Sequence, residues 1–183
     1  MTSKTLFLLA AGWLCMAAAP APKPARTAAP HAAPPAAAAP PAAIDGRDPA
    51  GLISVLAALN AKGQIARHEG DSVFVTVTSP TEIFSAQYAG CDAQGHACQA
   101  VLFDRLGVGG SPSVAQVNAF NQTSVMCRVY EDKAAKPHVE YSALLFPTTG
   151  RAELLMHINA WRGCIGDFNA FLKDPVGFLA QAA

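Results

Sequence analysis

Hydrophobic positions divide the chain into three stretches. Residues 5–14 form a short apolar run, Thr-Leu-Phe-Leu-Leu-Ala-Ala-Gly-Trp-Leu, behind Lys4 and ahead of the small residues Ala17, Ala18 and Ala19. Residues 20–43 have no periodicity and are almost entirely Ala and Pro. From Ile44 onward apolar residues recur with helical or strand period. Asp48-Pro49 gives an N-cap followed by a first-turn proline, and Leu52, Ile53, Leu56 and Leu59 form a stripe that Gly63 ends. Gln64–Glu69, Ser72–Thr78, Glu82–Ala89 and Gln99–Leu106 read as strands. The alternation is clearest where Val73, Val75 and Val77 oppose Phe74, Thr76 and Thr78.

After Gly107–Gly110, Ser113 and Gln116 form a capping box for a second helix whose Val114, Val117 and Phe120 face inward. Val125–Asp132 and His138–Phe146 read as two further strands. Leu154, Ile158, Trp161, Ile165, Phe168 and Leu172 then recur at steps of 4, 3, 4, 3 and 4, one face of a long helix that Asp174-Pro175 ends. The order α-β-β-β-β-α-β-β-α predicts an α+β fold, an antiparallel sheet with helices packed on one face.

The first stretch has the basic start, apolar middle and small residues of a secretory leader. It is too short for a comfortable membrane span. The expected organisation is a signal peptide over 1–19, a Pro/Ala-rich disordered linker over 20–43, and one domain over 44–183. Pro20 disfavours a cut directly after Ala19, so cleavage is expected between Ala18 and Ala25. Bulky Trp13 and Leu14 before Cys15 argue against a lipidation signal. The pattern predicts an exported bacterial chain, periplasmic or secreted, with no stable membrane span once the leader is removed.

Charge narrows the partners. The whole chain has 13 basic and 13 acidic residues, but Lys4, Lys23 and Arg26 lie before Ile44, where there is no acid. The remainder holds 10 basic and 13 acidic residues, formally −3. Such a domain lacks the basic footprint of a nucleic-acid binder and has no pull toward anionic lipid.

Without Cys15 four cysteines remain: Cys91, Cys98, Cys127 and Cys164. An even number in an exported chain points to disulfides. Cys91 and Cys98 flank a six-residue loop between two strands and are expected to bridge. Cys164 lies beside the apolar face of the last helix, and Cys127 starts a strand that this helix should cover, which suggests a second bridge. The alternatives are a pair of buried free thiols at Cys127 and Cys164, and a metal site using Cys91, His96 and Cys98, for which no fourth ligand is evident. No metal or other cofactor is expected.

The histidines, His31, His68, His96, His138 and His157, form no i, i+4 pair, and each reads as a surface or edge residue. No serine sits in a Gly-x-Ser-x-Gly elbow, and Gly107–Gly110 lacks the lysine of a phosphate loop. Glu131 and Asp132 read as solvated strand-end acids. No catalytic constellation is found, so the chain is expected not to be an enzyme.

The layout over residues 48–174 resembles the YbjN family, small bacterial proteins grouped with sensory-transduction regulators. The resemblance is carried by the Asp48-Pro49 helix with Leu52 and Leu56, the strand Ile83–Tyr88, and Gly90-Cys91 with Cys98. It continues through Ala100–Phe103, the helix Val117–Asn121, the strand Cys127–Tyr130 and the helix around Trp161. Cys127 and Cys164 depart from the family pattern. The resemblance implies a fold similar to type III secretion chaperones, which bind protein segments and often dimerise. It implies a protein partner, allows a homodimer, and carries over no catalytic residues. The leading expectation is a non-enzymatic protein-binding or regulatory module of the envelope. The alternative is an enzyme of unrecognised type, or a small-molecule-binding domain with a cleft between the last helix and the sheet.

Overall fold

The computed structural model describes residues 43–182; the expected leader and the Pro/Ala-rich stretch, save its last residue, lie outside it. The described chain is α+β, as its periodicity predicts. Helix α1 (Pro49–Ala57) precedes the strands β1 (Lys62–Glu69), β2 (Ser72–Thr78), β3 (Ile83–Ala89) and β4 (Ala100–Leu106). Helix α2 (Val114–Thr123) leads to β5 (Cys127–Glu131) and β6 (Pro137–Leu144), then α3 (Arg151–Lys173) and α4 (Pro175–Ala182). All six strands form one antiparallel sheet in the order β1-β2-β3-β4-β6-β5.

The helix starts follow from local chemistry. Asp48 Oδ1 accepts from Ala50 N–H at 2.8 Å, with Pro49 in the first turn. Ser113 Oγ accepts from Gln116 N–H, while Gln116 Oε1 accepts from Ser113 N–H at 2.8 Å, closing the capping box.

One face of the sheet carries Val73, Val75 and Val77 on β2, Phe84, Ala86 and Tyr88 on β3, Val101 and Phe103 on β4, Val129 on β5, and Val139 and Tyr141 on β6. Helix α3 lays Leu154, Ile158, Trp161, Ile165 and Phe168 against this face. Trp161 is fully buried, stacked on Phe103 at 5.9 Å and edge-on to Phe84 at 5.6 Å. The expected cleft between this helix and the sheet is therefore filled with side chains and is core.

Several boundaries differ from expectation, two of them with a clear local cause. Asp174-Pro175 ends α3 but also starts α4: Asp174 Oδ1 accepts from Gly177 N–H at 2.9 Å, with Pro175 at the first position. Phe178 of α4 stacks on Phe120 of α2 at 5.5 Å. A helix of eight residues is too short for its periodicity to stand out from a terminal tail. Strand β5 begins at Cys127, because Val125 and Met126 lie in an exposed bend before it.

Asn121, the last residue of the family-like helix motif, closes a sheet edge. Its Nδ2 donates to the Val129 carbonyl at 2.9 Å, and its Oδ1 accepts from Val129 N–H at 2.8 Å. The side-chain amide thus takes the place of a further strand beside β5. Asn121→Ala is expected to cost about 1–2 kcal/mol, since both backbone groups lose their partner but water can reach the edge. Chemical denaturation compared with wild type checks this; no change in midpoint would count against the plug.

Candidate functional site

The helices cover one face of the sheet. Along each strand the alternate residues point to the other face, which no described helix covers. Register brings these residues into rows. Thr76 pairs with Ser85, Ser85 with Asp104, Asp104 with Glu140, and Glu140 with Arg128. A neighbouring row runs Arg67, Phe74, Gln87, Leu102 and Ser142.

A groove of about 250 Å³ lies in this face, lined by Arg67, Phe74, Gln87, Leu102, Asp104 and Tyr130 among others. The Arg67 guanidinium sits 3.6 Å from the Phe74 ring centroid, a cation–π contact. Exposed apolar side chains also lie on this face outside that groove: Ile83 is 65% exposed and Leu106 44%, lining a separate groove with Val108, and Leu144 is 67% exposed. An antiparallel sheet with one solvated face usually shows it polar, so this apolar content needs a reason.

At the β4–β6–β5 side the face carries a connected polar network. Tyr130 Oη donates to Asp104 Oδ2 at 2.9 Å. His138 Nδ1 lies 3.1 Å from Asp104 Oδ1, and its Nε2 lies 3.7 Å from Asp132 Oδ2. The Tyr130 and His138 rings stack at 5.0 Å. Burial, then the bond to Asp104, then the charges of Asp104, Glu140 and Asp132 push the Tyr130 hydroxyl well above its ordinary range, so it stays protonated. Burial first, and the nearby Asp104 charge second, raise Glu140, opposed by Arg128. Backbone N–H donors hold Asp132 below its usual range, that of Lys136 being the largest influence. His138 Nδ1 is thus held by the Asp104 carboxylate, with the Asp132 carboxylate beyond hydrogen-bond distance of Nε2. The network presents carboxylate acceptors to cations or hydrogen-bond donors, together with a phenol that stays protonated.

The cysteines pair as expected. The sulfurs of Cys91 and Cys98 are 2.07 Å apart and those of Cys127 and Cys164 are 2.04 Å apart, both disulfide distances. His96 does not converge on the first pair; its Nδ1 lies 2.9 Å from Asp48 Oδ2, at the cap of α1. The Cys98 N–H donates to the Arg47 carbonyl at 3.0 Å. The loop Cys91–Cys98 therefore clamps the entry of the domain. Such pairs are compatible with an oxidising compartment. Among the described residues no helix is long and apolar enough to cross a membrane.

From the sequence alone His138 reads as a surface or edge residue and Asp132 as a solvated strand-end acid, and nothing joins them to Asp104 and Tyr130. Asp104, Tyr130 and His138 come from three strands and Asp132 from the turn after β5, and only the crossover that sets β6 beside β4 unites them. The available signal was the polar alternation Asp104, His138, Glu140, Arg128 and Tyr130 opposite core positions. No protein-family model, curated protein or solved structure matches the chain.

Proposed function

We propose that the chain is an exported, non-enzymatic module of the bacterial envelope that binds another protein through the uncovered sheet face, in a recognition or regulatory role. The observation that carries this reading is the apolar and aromatic content of that face: Phe74, Leu102 and Tyr130 line one groove, Ile83 and Leu106 another, and Leu144 is exposed beside Ala100. Exposed apolar side chains rimmed by polar groups are the mark of a surface made for a partner. The leader pattern and the two cysteine pairs support the periplasm or the exterior as the place of action. The YbjN-like layout supports a regulatory protein. The absence of net positive charge disfavours nucleic acid as the partner.

The test is affinity capture from envelope extract with the purified protein and three variants. Ile83→Glu and Leu144→Glu place charge on the uncovered face at well-exposed positions, so folding is retained. Met156→Glu, on α3 and 62% exposed, is the control on the opposite side. A partner retained by wild type and Met156→Glu, and lost by the other two, is the expected result. Equal retention by all four proteins would refute this reading.

A further inference from the structure

The two edges of the sheet are unlike. Strand β5 has five residues, and Asn121 plugs its outer side at Val129. Strand β1 has eight residues, all exposed except the intermediate Gly63, and no described strand pairs with its outer side. An open edge of this length is a template for another strand.

The sequence of β1, Lys-Gly-Gln-Ile-Ala-Arg-His-Glu, selects the occupant. Turned antiparallel upon itself about a point between Ile65 and Ala66, it sets Lys62 against Glu69, Gly63 against His68, and Gln64 against Arg67. A two-fold axis normal to the sheet leaves each face on its own side, so paired residues must share a face. In a regular strand Lys62 and Glu69, seven positions apart, would point to opposite faces. The irregularity between Ile65 and Arg67 inserts Ala66 as an extra residue and changes the parity. Lys62, Gln64, Arg67 and Glu69 pair with Thr78, Thr76, Phe74 and Ser72 of β2, and so all four lie on the uncovered face. The bulge sits at the centre of the register in which Lys62 and Glu69, Gly63 and His68, and Gln64 and Arg67 each share a face and the charged ends attract. Charges and a bulge commonly blunt an edge; here their placement is self-complementary.

We propose that β1 pairs antiparallel with β1 of a second copy of this chain, in the register Lys62 opposite Glu69. The product is a continuous twelve-stranded sheet with both uncovered faces on the same side. It presents two copies of the partner-binding face side by side, and bivalent engagement raises avidity without new contacts. A strand pair alone lies at the small end of specific interfaces, so the dimer forms at on the order of 10–100 μM protein.

Sedimentation velocity at low salt, over a concentration series, tests it. Wild type is expected to shift from monomer to dimer. Lys62→Glu and Glu69→Lys each place like charges opposite one another at both ends and are expected to weaken association about tenfold or more. The double variant Lys62→Glu/Glu69→Lys restores the pairing with the charges exchanged, and its association is expected to return to within about threefold of wild type. All three variants change exposed side chains, and circular dichroism confirms folding. A monomer up to about 1 mM, a dimer indifferent to the single changes, or a double variant no better than either single one overturns the proposal. Capture of a partner is read at Ile83 and Leu144, away from this edge, so failure of one reading leaves the other standing.

Discussion

Trp161→Ala is expected to lower folding stability by about 3–5 kcal/mol. The indole is fully buried between Phe84 and Phe103, at the middle of α3 and over the centre of the sheet. Its removal opens a cavity lined by side chains from β3, β4 and the helix itself, and close-packed aromatic neighbours cannot collapse into it without leaving their own contacts. For a domain of this size the melting temperature should fall by about 10–20 °C. Trp161→Phe is expected to be much milder. It keeps an aromatic ring in the stack and removes Nε1–H, which is buried with no hydrogen-bond partner in the described structure. Thermal unfolding by circular dichroism separates the two. An alanine variant within 1–2 °C of wild type would show that α3 is not the lid of the core.

Replacement of Cys127 and Cys164 together by alanine is expected to cost roughly 3–4 kcal/mol. The bond joins the edge strand β5 to α3 across a sequence separation of 37 residues. In the unfolded chain it closes a long loop, and that lost freedom is the source of most of the stabilisation. The Cys91–Cys98 bond spans only 7 residues, and the same argument gives it about 2 kcal/mol. Burial separates the two further. Cys127 and Cys164 are 5% and 1% exposed, whereas Cys91 is partly exposed. Mild reductant should therefore open Cys91–Cys98 first, with Cys127–Cys164 yielding only as the domain unfolds. Urea titration of the double variant, and alkylation with mass mapping during graded reduction, measure both. A loss below 1 kcal/mol, or reduction in the opposite order, would contradict this account.

Most of the fold is legible in the sequence because its signals are local. The 4-3-4-3-4 spacing through Trp161 marks α3, and the alternation through Val73, Val75 and Val77 marks β2 and its buried face. Asp48, Ser113 and Gln116 mark helix starts by the hydrogen bonds they make. The Cys127–Cys164 pair follows from local periods as well, since each cysteine lies on the core side of its element. The surface network is different. Asp104, Tyr130 and His138 meet only because β6 inserts between β4 and β5, and no local pattern encodes strand order. The edge properties of β1 depend on a single irregular residue, Ala66, which carries no signature of its own. The role of Asn121 is hidden for the same reason: its partners lie on Val129, eight positions away on another element.

The insertion of β6 also orders events in time. Strands β1 to β4 pair each with the next in sequence, so they can zip together as the chain emerges from whatever machine delivers it. The far side of β4 has no such neighbour to wait for. A row of backbone donors and acceptors on that side stays unpaired until residues 137–144 arrive, more than thirty positions later, and Val101 and Phe103 wait longer still, for α3. A nascent chain halted in that interval is half a sheet with a raw margin, competent to recruit a neighbour in the same condition. Slow delivery and crowding then favour association of such half-formed sheets over completion of the domain.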